Sequence, residues 1–346
     1  MAGGRRGGPA EAAVSDLLAR VLCATPLPAL ARARRRDALP VLMYHGVVER
    51  PLSPACWHQL PLDAFRRQMA WVARHHRVVP LAEGLARLEA GTLERGSLAI
   101  TFDDGYRNVA TTAAPVLAAH GMHATVFLVS DVTGTDEPLW PDRLYLAFAR
   151  TAAAAVDAPD LGLVAAPLRT PRDRAAAYAT SVRALKGLPL PEKEARLAAL
   201  LAALRREGPE DPGEFRLLRW DEVEAMQRTG RFAFGGHSTR HEILARMPDG
   251  QVAAAIGRSH EAVAARTGTT PTVFAYPNGR AMDFDDRARA ALDHLGVRYA
   301  LATVEGFVRR GFDRLAVPRL SVGSDLSFAR FRLLVSGALE ALRGRR

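Results

Sequence analysis

One pattern limits the fold of this chain more than any other: short apolar runs alternate with helical stretches. The runs lie at 41–44, 98–102, 125–129, 231–234, 272–275 and 299–302, with helical patterns such as 62–75 and 251–266 between them. This order predicts an α/β fold with parallel strands, because parallel neighbours are joined by crossovers long enough to hold a helix. A chain of 346 residues, 48% hydrophobic and 24% charged, can bury the large core such a fold requires. Between 132 and 213 the alternation stops. An Ala-, Leu- and Arg-rich stretch replaces it, broken by Pro159, Pro167, Pro171, Pro189, Pro191 and Pro212, and reads as an insertion of three or four helices.

The apolar run at 97–102 leads into Thr101-Phe102-Asp103-Asp104-Gly105-Tyr106. Adjacent acids directly after a buried strand have little structural use beyond one of them capping the next helix. A second motif, Gly235-Gly236-His237-Ser238-Thr239-Arg240-His241, follows another apolar run. Its two imidazoles, four apart, are expected on one face of a helical turn. Together with one carboxylate they make the ligand set of a catalytic zinc site, which keeps a fourth position open for water. The paired acids then divide the labour, one staying ionised on the metal while the other exchanges a proton.

These residues resemble the polysaccharide deacetylase family, also called the NodB-homology or carbohydrate esterase four family. Thr101 to Tyr106 is similar to its first motif, His237 to His241 to its second, and Ala275-Tyr276-Pro277-Asn278-Gly279 to its third. Val41-Leu42-Met43-Tyr44-His45-Gly46-Val47 and Ala124-Thr125-Val126-Phe127 extend the likeness, which runs from about residue 40 to about 325. The resemblance implies a distorted, TIM-like (β/α) barrel of seven parallel strands carrying the helical insertion. It also implies a divalent metal, usually zinc, on Asp104, His237 and His241, with Asp103 as general base toward the water that the metal activates. The implied reaction removes acetyl groups, usually N-linked, from a polysaccharide or glycan precursor. By the same likeness the backbone N–H of Asn278 contacts the oxyanion, and Tyr276, Pro277 and Gly279 shape the turn that presents it.

The chain departs from the family pattern in three places. The third motif usually begins with an arginine that pairs with the base, and here that position is Ala275, with Arg240 and Arg280 near enough in sequence to replace it. The leucine-flanked histidine that usually serves as general acid is missing. The matching stretch is Leu315-Ala316-Val317-Pro318-Arg319-Leu320-Ser321, and no His follows His294. The tryptophan-containing motif is unrecognisable near 300–307. In a barrel of parallel strands all C-terminal strand ends meet at one mouth, so His45 is the expected substitute acid. Return of the proton by Asp103 itself, or an O-acetyl ester substrate, are the alternatives. The insertion leaves from the same mouth and is expected to form a lid, with Trp140 stacking on a sugar ring.

Charge is concentrated at the two ends. Residues 1–36 hold seven Arg and two acids, and 330–346 hold five Arg and one Glu, against a net +10 for the whole chain. A nearly neutral body with no reading motif argues against a nucleic-acid partner. The expected division is a basic, partly amphipathic tail at 1–36, a barrel domain at 37–329 interrupted by the insertion at 132–213, and a basic C-terminal helix at 330–346. Basic ends that mix Leu, Val and Arg suit peripheral contact with an anionic membrane. The glycine-rich residues 3–8 read as a tail. Asp16 and Arg20 interrupt the apolar stretch 14–30, which argues against a secretory signal, and no run reaches the ~20 apolar residues that span a bilayer. Only Cys23 and Cys56 occur, in no paired spacing. A cytoplasmic location is therefore expected, where the substrate would be an acetylated glycan or lipid-linked glycan before export. Two other readings fit the same residues: a related hydrolase of another C–N or ester bond, and a non-catalytic glycan-binding relative.

Overall fold

The computed structural model describes residues 9–35, 37–205 and 211–343, with side chains from 16 onwards to 340. The glycine-rich residues 3–8 and the last basic residues, 344–346, lie outside the described residues. Seven parallel strands follow one another around a closed barrel in chain order: β1 (Val41–Tyr44), β2 (Ser97–Phe102), β3 (Ala124–Leu128), β4 (Phe232–Gly236), β5 (Val273–Ala275), β6 (Tyr299–Glu305) and β7 (Val317–Ser321). Closure is made by β1, which lies beside β2 with Val41 opposite Ala99, and beside β7 with Leu42 opposite Leu320. The barrel implied by the resemblance is present. Its seventh strand is absent from the apolar runs because Pro318 and Arg319 interrupt the hydrophobic pattern, one lacking a ladder N–H and the other carrying charge.

Alternate side chains of a strand face opposite sides. Val41, Ala99, Phe127, Ala275, Leu301 and Val317 fill the barrel together with Leu85 and Leu88 of the helix Leu81–Ala90. Leu42, Ile100, Phe102, Val126, Phe234 and Leu320 point outward and pack with Phe65 and Met69 of the helix Leu62–His75. By this parity Thr101 and Asp103 continue the inward row of Ala99, and Arg319 continues that of Val317. Polar groups therefore take over the interior toward the C-terminal ends of the strands.

Two helices, α1 (Pro9–Ala24) and α2 (Leu27–Arg34), precede the barrel, and α3 (Trp140–Arg150), α4 (Pro171–Lys186) and α5 (Leu190–Ala203) lie in the insertion. The insertion also contains an antiparallel hairpin, Ala155–Ala158 with Leu163–Pro167, where helices alone were expected. Its strands are too short and too alanine-rich for a period of two to stand out. The insertion has a core of its own, including Leu144, Phe148, Leu163, Leu185 and Leu197. After β7 comes α6 (Phe328–Ser336), which ends at Gly337 in the left-handed region, φ 74°, before the helix Ala338–Arg343. The basic C-terminal stretch is thus two helices rather than one. Ala19, Cys23 and Ala31 of α1 and α2 are buried with Leu333 of α6, so this part of the N-terminal segment packs on the barrel instead of trailing from it.

Candidate metal centre

β2 delivers both acids. The Asp103 N–H donates to the Tyr44 carbonyl at 2.9 Å, continuing the ladder, and Asp104 then turns the chain with φ 72°. Neighbouring carboxylates thereby point in different directions. β4 delivers the histidines. At Gly235 a Cβ would lie 2.6 Å from the Val273 carbonyl, so only glycine lets β4 run this close to β5. His237 and His241 follow on an irregular loop, with positive φ at Ser238 and His241 of 62° and 59°, and not on the helical turn that their spacing suggested. The loop is shaped by Glu242, a residue the sequence reading passed over. Its buried carboxylate accepts from the Thr239 hydroxyl at 2.7 Å and the Arg240 N–H at 2.8 Å, while its own N–H donates to Ser238 Oγ at 3.2 Å.

The three expected ligands converge. His237 Nε2 lies 3.4 Å and His241 Nε2 3.3 Å from Asp104 Oδ1, and ligand atoms of all three residues lie within 4.8 Å of one another. The Ala275 carbonyl, 2.7 Å from His237 Nδ1, can only accept, so a proton sits on Nδ1 and Nε2 is the nitrogen turned toward Asp104. Asp104 Oδ1 is buried and has no hydrogen-bond partner. A bare carboxylate oxygen facing two imidazole nitrogens is a costly arrangement that a divalent cation relieves, and the N,N,O donor set is one that zinc accepts. Burial would raise the Asp104 carboxyl, but His241 and His237 hold it well below the usual range. Burial, aided by His237 and by Lys186 and Lys193 of the insertion, outweighs the pull of Asp104 and holds His241 down to about 3. A neutral imidazole beside an ionised carboxylate is the protonation state that cation binding requires.

Asp103 is held by a residue the sequence did not assign. Arg319, fully buried on β7, donates from Nη1 to Asp103 Oδ1 at 2.6 Å and from Nη2 to Oδ2 at 2.8 Å, a bidentate pair inside the barrel. Its remaining donors reach the Ala302 carbonyl at 3.0 Å and Thr101 Oγ1 at 3.2 Å. Burial would raise the Asp103 carboxyl, and Arg319, with His237 and His45, outweighs burial and lowers it. The cation missing at Ala275 therefore comes from the stretch in which a histidine was sought. Neither suggested replacement does this: Arg240 pairs with Glu137 at 3.2 Å, and Arg280 is exposed, its N–H on Asp283.

The remaining expected residues divide between the mouth and the core. His45 follows β1 at the mouth, half-buried, its ring 5.0 Å from that of Trp57. Burial, opposed by Asp104 and Asp103 but aided by His58 and Arg319, holds it down to about 4. Asn278 turns the chain with φ 60°, followed by Gly279 at φ 62°, and the Asn278 and Gly279 carbonyls accept from Thr303 Oγ1 at 2.5 Å and Thr303 N–H at 2.7 Å. Pro277 is buried before them. The Tyr276 side chain is core, stacked on Phe284 at 3.9 Å with its hydroxyl on the Leu315 carbonyl. Trp140 is core too, 6% exposed within the insertion with Lys193 over its ring, which does not fit the expected stacking on a sugar. One buried network went unread. Asp142 of α3 accepts from Tyr106 OH at 2.7 Å and from His58 Nε2 at 3.1 Å, tying the insertion to the first motif. Burial would lower His58, but Cys56 and Asp142 outweigh it and keep its proton on.

A family model, polysaccharide deacetylase, matches residues 90–300. The chain belongs to the polysaccharide deacetylase family. Members of this family are carbohydrate deacetylases, which are hydrolases. The Bacillus subtilis (strain 168) protein YxkH is 29% identical over 108 residues, a match covering 31% of this chain and 37% of that relative's length. Among solved structures, Streptococcus pyogenes deacetylase PplD, in complex with acetate, has a TM-score of 0.57 at 16% identity, covering 86% of this chain and 97% of its own. IcaB from Ammonifex degensii has a TM-score of 0.56 at 18% identity, covering 88% and 97%. At such identities the likeness of this deacetylase-family chain to both structures is one of fold.

Proposed function

We propose that the protein is a metal-dependent deacetylase that removes N-linked acetyl groups from a polysaccharide or a lipid-linked glycan precursor in the cytoplasm. One observation carries the reading: His237 and His241 converge on the bare Oδ1 of Asp104, beside an Asp103 clamped by Arg319. A divalent cation such as zinc, held by those three residues, supplies Lewis acidity that lowers the pKa of water and polarises an acetyl carbonyl. Asp103 takes the proton of the attacking water. Both of its oxygens accept from Arg319, yet each keeps a second lone pair for that proton. Because Arg319 makes the carboxylate a weak base, the protonated form is a correspondingly strong acid, fit to return the proton to the leaving amine. His45, held to about 4 by burial, is neutral at pH 7 and donates a hydrogen bond at the mouth rather than a proton. The Asn278 N–H is the chain's own donor to the oxyanion. The cytoplasmic reading is supported by two free cysteines, Cys23 and Cys56. No helix among the described residues is long and apolar enough to cross a membrane.

The test is acetate release from N-acetylated amino-sugar oligomers, with bound metal measured in the same preparation. Acetate that stops on chelation and returns with zinc is the expected result. Metal without acetate from amide substrates, but with acetate from O-acetyl esters, would reassign the substrate. Absence of both metal and acetate would leave a glycan-binding relative.

A further inference from the structure

Eight large apolar side chains are exposed among the described residues, and four of them, Leu17, Leu18, Val21 and Leu30, belong to α1 and α2. Leu17 and Val21 are one turn apart beside Leu18, while Ala19 and Cys23 form the opposite, buried face against α6. Half of the exposed aliphatic and aromatic bulk is thus gathered on one short helical hairpin. Residues 16–35 also carry four Arg and a single acid.

Beside this face a cleft of about 510 Å³ opens between α1 and α6, lined by Arg20, Arg67 and Arg332, by Cys23 and Phe328, and by one acid, Asp16. Asp16 is already engaged, paired with Arg20 at 3.0 Å and accepting from the Ser327 hydroxyl. Arg67 and Arg332 have no carboxylate partner among the described residues. Arg332 donates from Nη2 to the Cys23 carbonyl at 3.3 Å, and its Nε is buried without a partner. An outward apolar row next to a cleft with spare guanidinium groups is complementary to an acyl boundary topped by phosphates.

We propose that α1 and α2 form a docking face for an anionic phospholipid bilayer, with Leu17, Leu18, Val21 and Leu30 entering the headgroup boundary and the cleft arginines taking lipid phosphates. The Asp16 end of this face lies toward the mouth of the barrel, while α2 follows α6 to its far end, where Arg35 Nη1 donates to the Ser336 carbonyl at 3.3 Å. Ser327, which holds Asp16, caps α6, and the preceding loop is tied to Trp57 through Ser324 N–H at 2.8 Å from the Trp57 carbonyl. Trp57 is 43% exposed and its ring lies 5.0 Å from that of His45. Docking along α1 and α2 therefore lays the side of the barrel on the membrane, with its mouth beside the surface where a lipid-linked glycan is presented. The inference goes beyond the deacetylase reading and stands apart from it, since binding is measured without turnover.

The test is flotation of the full chain with vesicles of mixed phosphatidylglycerol and phosphatidylcholine, and of phosphatidylcholine alone. Binding is expected only with the mixed vesicles, and to weaken in high salt. The triple variant Leu17→Ser/Leu18→Ser/Val21→Ser should bind about tenfold or more weakly, and Arg67→Ala about fivefold more weakly. All four side chains are exposed, so the thermal unfolding of these variants should match the parent. No flotation of the parent chain with either vesicle, or undiminished flotation of the triple variant, overturns the proposal. So does a parent dimer that the triple variant converts to monomer, because a second copy would then cover the face.

Discussion

Replacing Arg319 by methionine keeps most of the apolar stem and deletes the guanidinium that both steadies the barrel and tunes Asp103, the proposed base. The side chain donates at 2.6 and 2.8 Å to the two oxygens of Asp103 and at 3.0 and 3.2 Å to Ala302 and Thr101. Asp103 is only 2% exposed, so water cannot substitute for these bonds. Leaving one member of a buried pair alone costs about 3–5 kcal/mol. The pH dependence has a definite sign. In the parent, the lowered Asp103 carboxyl contributes stability that is present above its unfolded value and lost as pH falls through the folded one. In Arg319→Met only His237 and His45 still oppose burial, so the carboxyl should rise, and stability is then lost as pH rises through the new folded value. Urea unfolding of the parent, Arg319→Met, Asp103→Asn and the double variant gives the cycle. The double variant should recover much of the loss, because no unpaired charge remains, with a coupling of about 2–3 kcal/mol. The acid limb of kcat/KM, which reports the base in the free enzyme, should move to higher pH in Arg319→Met. A variant within about 1 kcal/mol of the parent at neutral pH would mean the pair is effectively screened like a surface one, and would refute the reasoning.

Asp103→Asn should lower turnover by about a thousandfold while bound metal, measured by elemental analysis, stays at the parent level; Asp104→Ala should lose both. His45→Gln should lower kcat less than about tenfold and leave the shape of the pH–rate profile unchanged, whereas loss of one limb would make His45 the proton donor after all. Gly279→Ala should destabilise by about 1–3 kcal/mol in thermal or urea unfolding, since φ is 62° and the new Cβ would lie 2.9 Å from the Thr303 nitrogen. His76, held to about 4 chiefly by burial with Arg32 assisting, should make stability fall as pH drops from 6.5 toward 4, because the unfolded chain binds its proton first. His76→Leu should flatten that part of the urea-midpoint profile, and an unchanged slope would assign the acid sensitivity to other groups.

Much of the barrel was legible because period and spacing are local properties. Six of its strands announce themselves as apolar runs, and the helices at Leu62–His75 and Gln251–Thr267 as helical patterns. The candidate metal ligands were legible for a different reason: Asp-Asp and His-x3-His are short, chemically loaded strings whose meaning survives without knowledge of the backbone. What misled was local geometry inferred from spacing. His237 and His241 meet because Ser238 and His241 adopt positive φ around the Glu242 carboxylate, a loop with no signature in a count of four. Trp140 looked available because an aromatic residue near a site suggests a sugar platform, and Tyr276 because it stands in the third motif, yet both side chains were claimed by packing.

The amino-acid string determined the alternating architecture and, through its likeness to a family, the three candidate cation ligands and the acid beside them, since each is written in neighbouring residues or in a fixed interval. The partner of that acid was decided only by barrel closure. Arg319 lies 216 positions from Asp103 along the chain. Closure sets β7 against β1 and β1 against β2, and the two-residue period turns both side chains inward to the same layer. A search for the missing cation among sequence neighbours of Ala275 could not reach it, because a closed ring of parallel strands makes its first and last members adjacent.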